Sequence, residues 1–163
     1  DIDVDFLKKD YFSNRLLLLK KGETYVDENV VIKAYGSTDE GVSFLMKIDG
    51  EKVFHAGDLN NWHWEKESTT DEIEEAEQNY LAEINNLSND VDSLYLVMFP
   101  VDPRMEGDFA RGARQFLEKI RVKYFVPMHT WNMWEKAFDI SKYYNSDFGQ
   151  CICLKSGKCV TLD

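Results

Sequence analysis

A chain of 163 residues, 44% hydrophobic and 13% aromatic, is long enough to bury a sizeable core, and it reads as one domain or a large piece of one rather than a disordered polymer. Its 19 Lys and Arg against 30 Asp and Glu leave a formal charge of −11, a field that repels phosphate backbones and anionic membranes, so nucleic acid is not an expected partner. No run approaches the roughly 18 apolar residues of a membrane span, and the start carries neither a basic nor an apolar leader region. The expectation is a soluble, cytoplasmic protein, with homo-oligomer formation left open.

The first thirty residues are the least legible: Leu16–Leu19 reads as a buried strand and Lys20-Lys21-Gly22-Glu23 as a turn. Strand-like runs follow at Val30–Tyr35, Val42–Ile48 and Lys52–His55, each bounded by Gly, Asp or Asn. From Asp71 to Leu87, Ile73, Ala76, Tyr80, Leu81, Ile84 and Leu87 recur at helical spacing behind Thr70 or Asp71 as N-cap. Ser93–Phe99 is the next strand. A second helix is expected from about Glu106 to Ile120, with Phe109, Ala113, Phe116, Leu117 and Ile120 inward, leading directly into the strand Val122–Met128. A short aromatic helix from Met133 to Phe138 precedes two closing strands, Gln150–Leu154 and Cys159–Leu162, joined by a turn at Ser156-Gly157. Strands alternating with helices make an α/β fold.

Cys151, Cys153 and Cys159 are too few and too clustered for a disulfide framework. As a thiolate metal site they lack a fourth ligand and the usual spacing, so reduced thiols are expected.

Two segments could carry chemistry. Val53-Phe54-His55-Ala56-Gly57-Asp58 is a short strand stopping at Gly57, which leaves Asp58 at the strand's C-terminal end, where α/β sites are built. Tyr124-Phe125-Val126-Pro127-Met128-His129 is a buried strand ending on an imidazole. A carboxylate and an imidazole together suit zinc, manganese or iron. Each also has a plainer role, Asp58 as a turn residue and His129 as a structural hydrogen-bonder. In Asn60-Asn61-Trp62-His63-Trp64 two indoles flank an imidazole in a loop expected beside Asp58, so Trp62 and His63 are candidates for a substrate wall or for support of the ligands behind the metal. Trp64 reads as a core anchor, His55 as a packed or hydrogen-bonded residue, and Asp102 with Arg104 as a salt bridge or a receptor for a substrate anion. Trp131 and Trp134 are expected to cover the core beside His129.

The ordered set Ala34-Tyr35-Gly36-Ser37-Thr38-Asp39-Glu40-Gly41-Val42-Ser43-Phe44-Leu45, Val53 to Asn60, Phe99-Pro100-Val101-Asp102-Pro103-Arg104 and Val126-Pro127-Met128-His129 resembles the middle and end of a metallo-β-lactamase-fold hydrolase, in the style of the ascorbate-phosphate lactonase-like branch. The resemblance runs from about Lys20 to Thr130. It implies an α/β, metallo-β-lactamase-like αββα sandwich, a metal-bridging Asp58, a metal ligand at His129, and up to two divalent ions in the complete domain, zinc first with manganese or iron as alternatives. Hydrolysis of a small ester, lactone or phosphoester by a metal-activated water would follow.

The sequence departs from this pattern at two places. The His-x-His-x-Asp-His motif is absent, the histidines being His55, His63 and His129. With Asp1 in place of an initiator Met, its absence leads to the expectation of a single partial domain over 1–163, incomplete on its N-terminal side and inactive alone. At Ser37-Thr38-Asp39, where many relatives carry a metal-binding His, Asp39 is the only strong ligand candidate, and a turn residue is its other reading. The alternative to an enzyme is a metal-free binding or structural module that keeps the fold without the chemistry.

Overall fold

A computed structural model describes residues 16–143, 149–152 and 157–162. Its frame is one seven-stranded sheet in the sequential order β1 (Thr24–Val26), β2 (Val30–Tyr35), β3 (Ser43–Ile48), β4 (Glu51–His55), β5 (Ser93–Pro100), β6 (Arg121–Met128) and β7 (Gln150–Cys151). The first four strands form an antiparallel meander, and β4 to β7 run parallel. The change comes where helices begin to connect the strands, since a parallel neighbour needs a long crossover whereas an antiparallel one needs only a hairpin.

Two crossovers carry helices α1 (Thr70–Ser88) and α2 (Arg111–Lys119). The N-cap of helix α1 is Thr69, one residue before Thr70 and two before Asp71, the two expected caps. The Thr69 hydroxyl accepts from the Glu72 amide, and the Glu72 carboxylate accepts from the Thr69 amide at 2.7 Å, a reciprocal pair that satisfies two otherwise orphaned donors. Apolar side chains of both helices meet one face of the sheet. Phe54, Val97 and Phe125 stand in register across β4, β5 and β6, and Phe116 of α2 stacks on Phe54 at 5.7 Å and lies 5.0 Å from Phe99. Tyr80 of α1 meets Phe99 edge-on. Tyr80, Ile84, Leu87, Phe116 and Ile120 are fully buried here.

Several expectations are corrected. Leu16–Leu19 is not a strand: with no ladder partner, its backbone leaves Leu17 54% and Leu18 47% exposed. The strand at this edge is β1, which starts at Thr24 after a turn at Gly22. The second helix does not begin at Glu106. Pro103 starts a short 3-10 turn (Pro103–Met105) capped by Asp102, positive φ at Glu106 and Gly107 breaks it, and α2 begins only at Arg111. The aromatic helix contracts to α3 (Trp134–Ala137), continued by a 3-10 segment over Phe138–Tyr143. Residues 159–162 form no strand and lie largely exposed, without a neighbouring ladder to join. Cys153, Leu154 and Ser156 of the expected closing hairpin lie outside the described residues; Cys159 is an exposed free thiol. Among the described residues no helix is long and apolar enough to cross a membrane.

The polarity of the sheet fixes where a site can form. The C-terminal ends of β4, β5 and β6 point to one end, and the β2–β3 connection, residues 36–42, returns to that same end because β3 is antiparallel to β4. The turns at 27–29 and 49–50 lie at the other end. Four loops therefore converge where parallel sheets place their ligands.

Candidate functional site

Strand β4 ends in a turn that accepts only glycine at position 57. Its φ is +57°, and a Cβ there would lie 2.7 Å from the Val42 carbonyl oxygen. The His55 ring closes the turn from below, its Nδ1 accepting from the Gly57 amide at 3.0 Å. That bond makes His55 a structural acceptor. Asp58, emerging from this turn, is held from above by Trp62, whose indole Nε1 donates to the Asp58 carbonyl at 2.8 Å.

His129 reaches the same place from β6. Main-chain pairing of Pro100 with Met128, continued by Val101 N to Met128 O at 3.0 Å, holds the ends of β5 and β6 together. His129 then turns into the left-handed region at φ +55°, followed by Trp131 at +46° and Asn132 at +63°. Non-glycine residues held there cost roughly 1–3 kcal/mol each and persist where the surroundings impose them. The consequence is a 3.1 Å approach of His129 Nε2 to Asp58 Oδ1, across 71 residues of sequence, with the two side chains 29% and 33% exposed.

Trp62 forms one wall. It stacks on Trp64 at 6.2 Å and tilts against the His129 ring at 5.9 Å. His63 turns the other way. It is 1% exposed, with Nδ1 3.0 Å from the Asn61 carbonyl and Nε2 4.0 Å from a Glu65 carboxylate that itself pairs with Arg111. A wall residue must be open to a ligand; Trp62 meets that condition and His63 does not.

Asp39 sits in the adjacent loop, exposed, its amide directed to the Ser37 hydroxyl at 3.3 Å. That loop is tied to the site through Thr38, whose hydroxyl donates to the Asn60 carbonyl at 2.6 Å and accepts from the Asn60 amide at 3.0 Å. The structure thus brings Asp58 and His129 together, and among the described residues no third His, Cys, Asp or Glu completes a metal-binding group with them.

Sequence reasoning placed Trp131 over the core, and the structure places it elsewhere. Trp131 is 58% exposed and lies over the Arg104 guanidinium at 3.9 Å. Its Nε1 donates to Asp102 Oδ2 at 3.1 Å. Asp102, fully buried, also accepts from the Arg104 amide at 3.0 Å, from Arg104 Nε at 3.0 Å and from Arg104 Nη2 at 2.6 Å. Burial works to raise the Asp102 carboxyl, but the hydrogen bonds and charge of Arg104, with the Trp131 bond, outweigh it and hold the group below the ordinary carboxylate range.

As a test of metal fit, two donors of one tetrahedral zinc ion, each about 2.0–2.1 Å from it, sit roughly 3.3 Å apart. The Asp58–His129 separation of 3.1 Å fits two ligands sharing an ion and equally fits a direct hydrogen bond between ring and carboxylate. Both are hard or borderline donors suited to zinc, manganese or iron. The pair is chemically apt and supplies two of the ligands such a site needs.

No protein-family model matches the sequence, and a search of curated proteins finds no match. Solved structures do match. A candidate metal-dependent hydrolase from Parabacteroides distasonis aligns over 93% of this chain and 61% of its own, with a TM-score of 0.59 at 13% identity. A candidate zinc-dependent hydrolase of the metallo-β-lactamase superfamily from Thermotoga maritima aligns over 68% of this chain and 47% of its own, with a TM-score of 0.43 at 20% identity. CmlA, a diiron β-hydroxylase from Streptomyces venezuelae, aligns over 68% of this chain and 24% of its own, with a TM-score of 0.44 at 11% identity. The fold is α/β: the described residues form one helix-backed sheet that aligns with the Parabacteroides distasonis structure, and the chain spans less than two thirds of the length of each of these structures.

Proposed function

We propose that the chain is the C-terminal part of a metal-dependent hydrolase, with Asp58 and His129 as two ligands of a divalent transition-metal site. The observation that carries this reading is the 3.1 Å approach of the two side chains at the ends of β4 and β6, reached through a glycine-only turn on one side and a left-handed backbone on the other. The remaining donors are assigned to a His-x-His-x-Asp-His segment upstream of Asp1, and zinc is the first choice of metal.

A bound ion would supply Lewis acidity and an acidified water for attack on a small ester, lactone or phosphoester. The residues present supply position. Asp58 offers a carboxylate whose backbone is fixed at Gly57 and by the Trp62 indole. His129 presents Nε2 toward it, and Trp62 lies against the His129 ring. Asp39, in the loop pinned by Thr38, is a further ligand candidate. A cytoplasmic location belongs to the same proposal.

The test is metal content per chain, by elemental analysis of the complete gene product purified without chelator. One to two equivalents of a transition metal, lost on Asp58→Ala and on His129→Ala, are expected; absence of metal near neutral pH would overturn the proposal. That outcome would favour a metal-free module in which Asp58 and His129 are an ion pair closing the loop end, the reading favoured by the lack of a third ligand among the described residues.

A further inference from the structure

Arg104 is held in an unusual way for a residue at the surface of an acidic protein. Its guanidinium meets Asp102 side-on, through Nε and Nη2. One face lies against the Trp131 ring at 3.9 Å. A guanidinium has five N–H donors, so two are committed to Asp102, and those of Nη1 with the second of Nη2 form the outer fork. The Arg104 side chain is nevertheless 44% exposed, whereas its carboxylate partner is wholly buried.

An ordinary surface ion pair spends two flexible side chains on a weak contact. Here the flexible partner is locked by a rigid one, and the outer edge of the fork, the geometry that grips carboxylate or phosphate with two parallel hydrogen bonds, stays open. Paying the ordering cost within the fold is what preorganises a binding group.

The position is equally specific. Trp131 stands two residues beyond His129 in the same left-handed turn, so the residue carrying Arg104 belongs to the segment that presents the candidate ligand. On its other side Arg104 lines a depression of about 170 Å³ with Trp64, Lys66, Glu67, Met105 and Glu106. Trp64 stacks on Trp62, which leans on His129. Lys66 is paired with Glu106, and Glu67 adds a second carboxylate. These acids repel an anion that is not gripped by the fork, which favours a single small oxyanion over a polyanion.

We infer that Arg104, fixed by Asp102 and Trp131, is the receptor for a carboxylate or phosphate group carried by the substrate beside the Asp58–His129 pair. The inference rests on the hydrolase reading for the word substrate and narrows its class: the ester, lactone or phosphoester bears an anionic substituent apart from the bond that is cleaved.

The test is a titration of ¹⁵N-labelled, metal-free protein with inorganic phosphate, and separately with acetate, at constant ionic strength, following the Trp131 indole N–H resonance. Arg104→Gln alone strands a buried carboxylate, so the neutral pair Asp102→Asn with Arg104→Gln is the principal variant. A saturable shift is expected for at least one anion, abolished in the double variant and weakened roughly tenfold in Arg104→Lys, which keeps the charge and loses the fork. A shift that is linear in anion, or that persists in the double variant, overturns the inference. Metal content separates the two readings: a double variant that binds metal while wild type fails to bind anion removes this inference alone, and saturable anion binding in a protein that takes up no metal removes the hydrolase and leaves Arg104 as an anion receptor.

Discussion

Replacing Gly112 by alanine sets two effects against each other. Gly112 lies within α2, and in a free helix alanine would stabilise by about 1 kcal/mol. In this fold a Cβ there would strike Asn60 Oδ1 and lie 2.9 Å from the Asn61 backbone nitrogen. Asn60 and Asn61 are 1% and 0% exposed, so neither can swing away. The loop must lift, at roughly 1–3 kcal/mol for overpacking, and lifting strains the two Thr38–Asn60 hydrogen bonds, each worth about 1 kcal/mol. With both bonds lost and the helix gain subtracted, the net loss is about 2–4 kcal/mol. At roughly 2–4 °C per kcal/mol for a chain of this size, thermal unfolding followed by circular dichroism should show a midpoint several degrees below wild type. An unchanged or raised midpoint would refute the argument that α2 serves as the seat of the site loop.

Phe116 packs on both Phe54 and Phe99, so Phe116→Ala should cost about 3–5 kcal/mol in urea denaturation, with little change in the slope if the native state stays compact. The Asp102 carboxyl titrates lower folded than unfolded, so its contribution is present above the ordinary carboxylate value near 4 and is lost as pH falls through the folded value. The stability difference between wild type and the Asp102→Asn, Arg104→Gln protein should therefore stay constant above about pH 4 and change as pH falls from there toward the folded value; a difference that does not change below about pH 4 would show that the pair adds no pH-dependent stability.

Local signals make β2, β3, β4, β5 and β6 legible, because each is a short apolar run bounded by turn residues, and Val30–Tyr35 matches to the residue; β1, three residues long and largely exposed, carries no such signal. The helix around Tyr80 and Ile84 was legible from its period. Its cap was not, because Thr69, Thr70 and Asp71 all carry capping oxygens and only the reciprocal bond with Glu72 selects the first. The four leucines at 16–19 misled for a related reason: apolar composition announces burial only where a partner strand exists. Asp58 and His129 could be named from strand ends, but their approach depends on the register of β4, β5 and β6, which no local window contains. The Asp102–Trp131 bond spans 29 residues and left no mark in either segment, so Trp131 was assigned to the core on composition alone.

The left-handed backbone at His129 also bears on how this chain changes over evolutionary time. Glycine or asparagine at position 129 would relieve the conformational penalty at a single mutational step or two. A lineage with no use for the imidazole gains stability by drifting to either. Homologous sequences that keep histidine at this one unfavourable backbone position would be paying for the side chain generation after generation, and those that relax to glycine would mark branches in which the site has fallen silent.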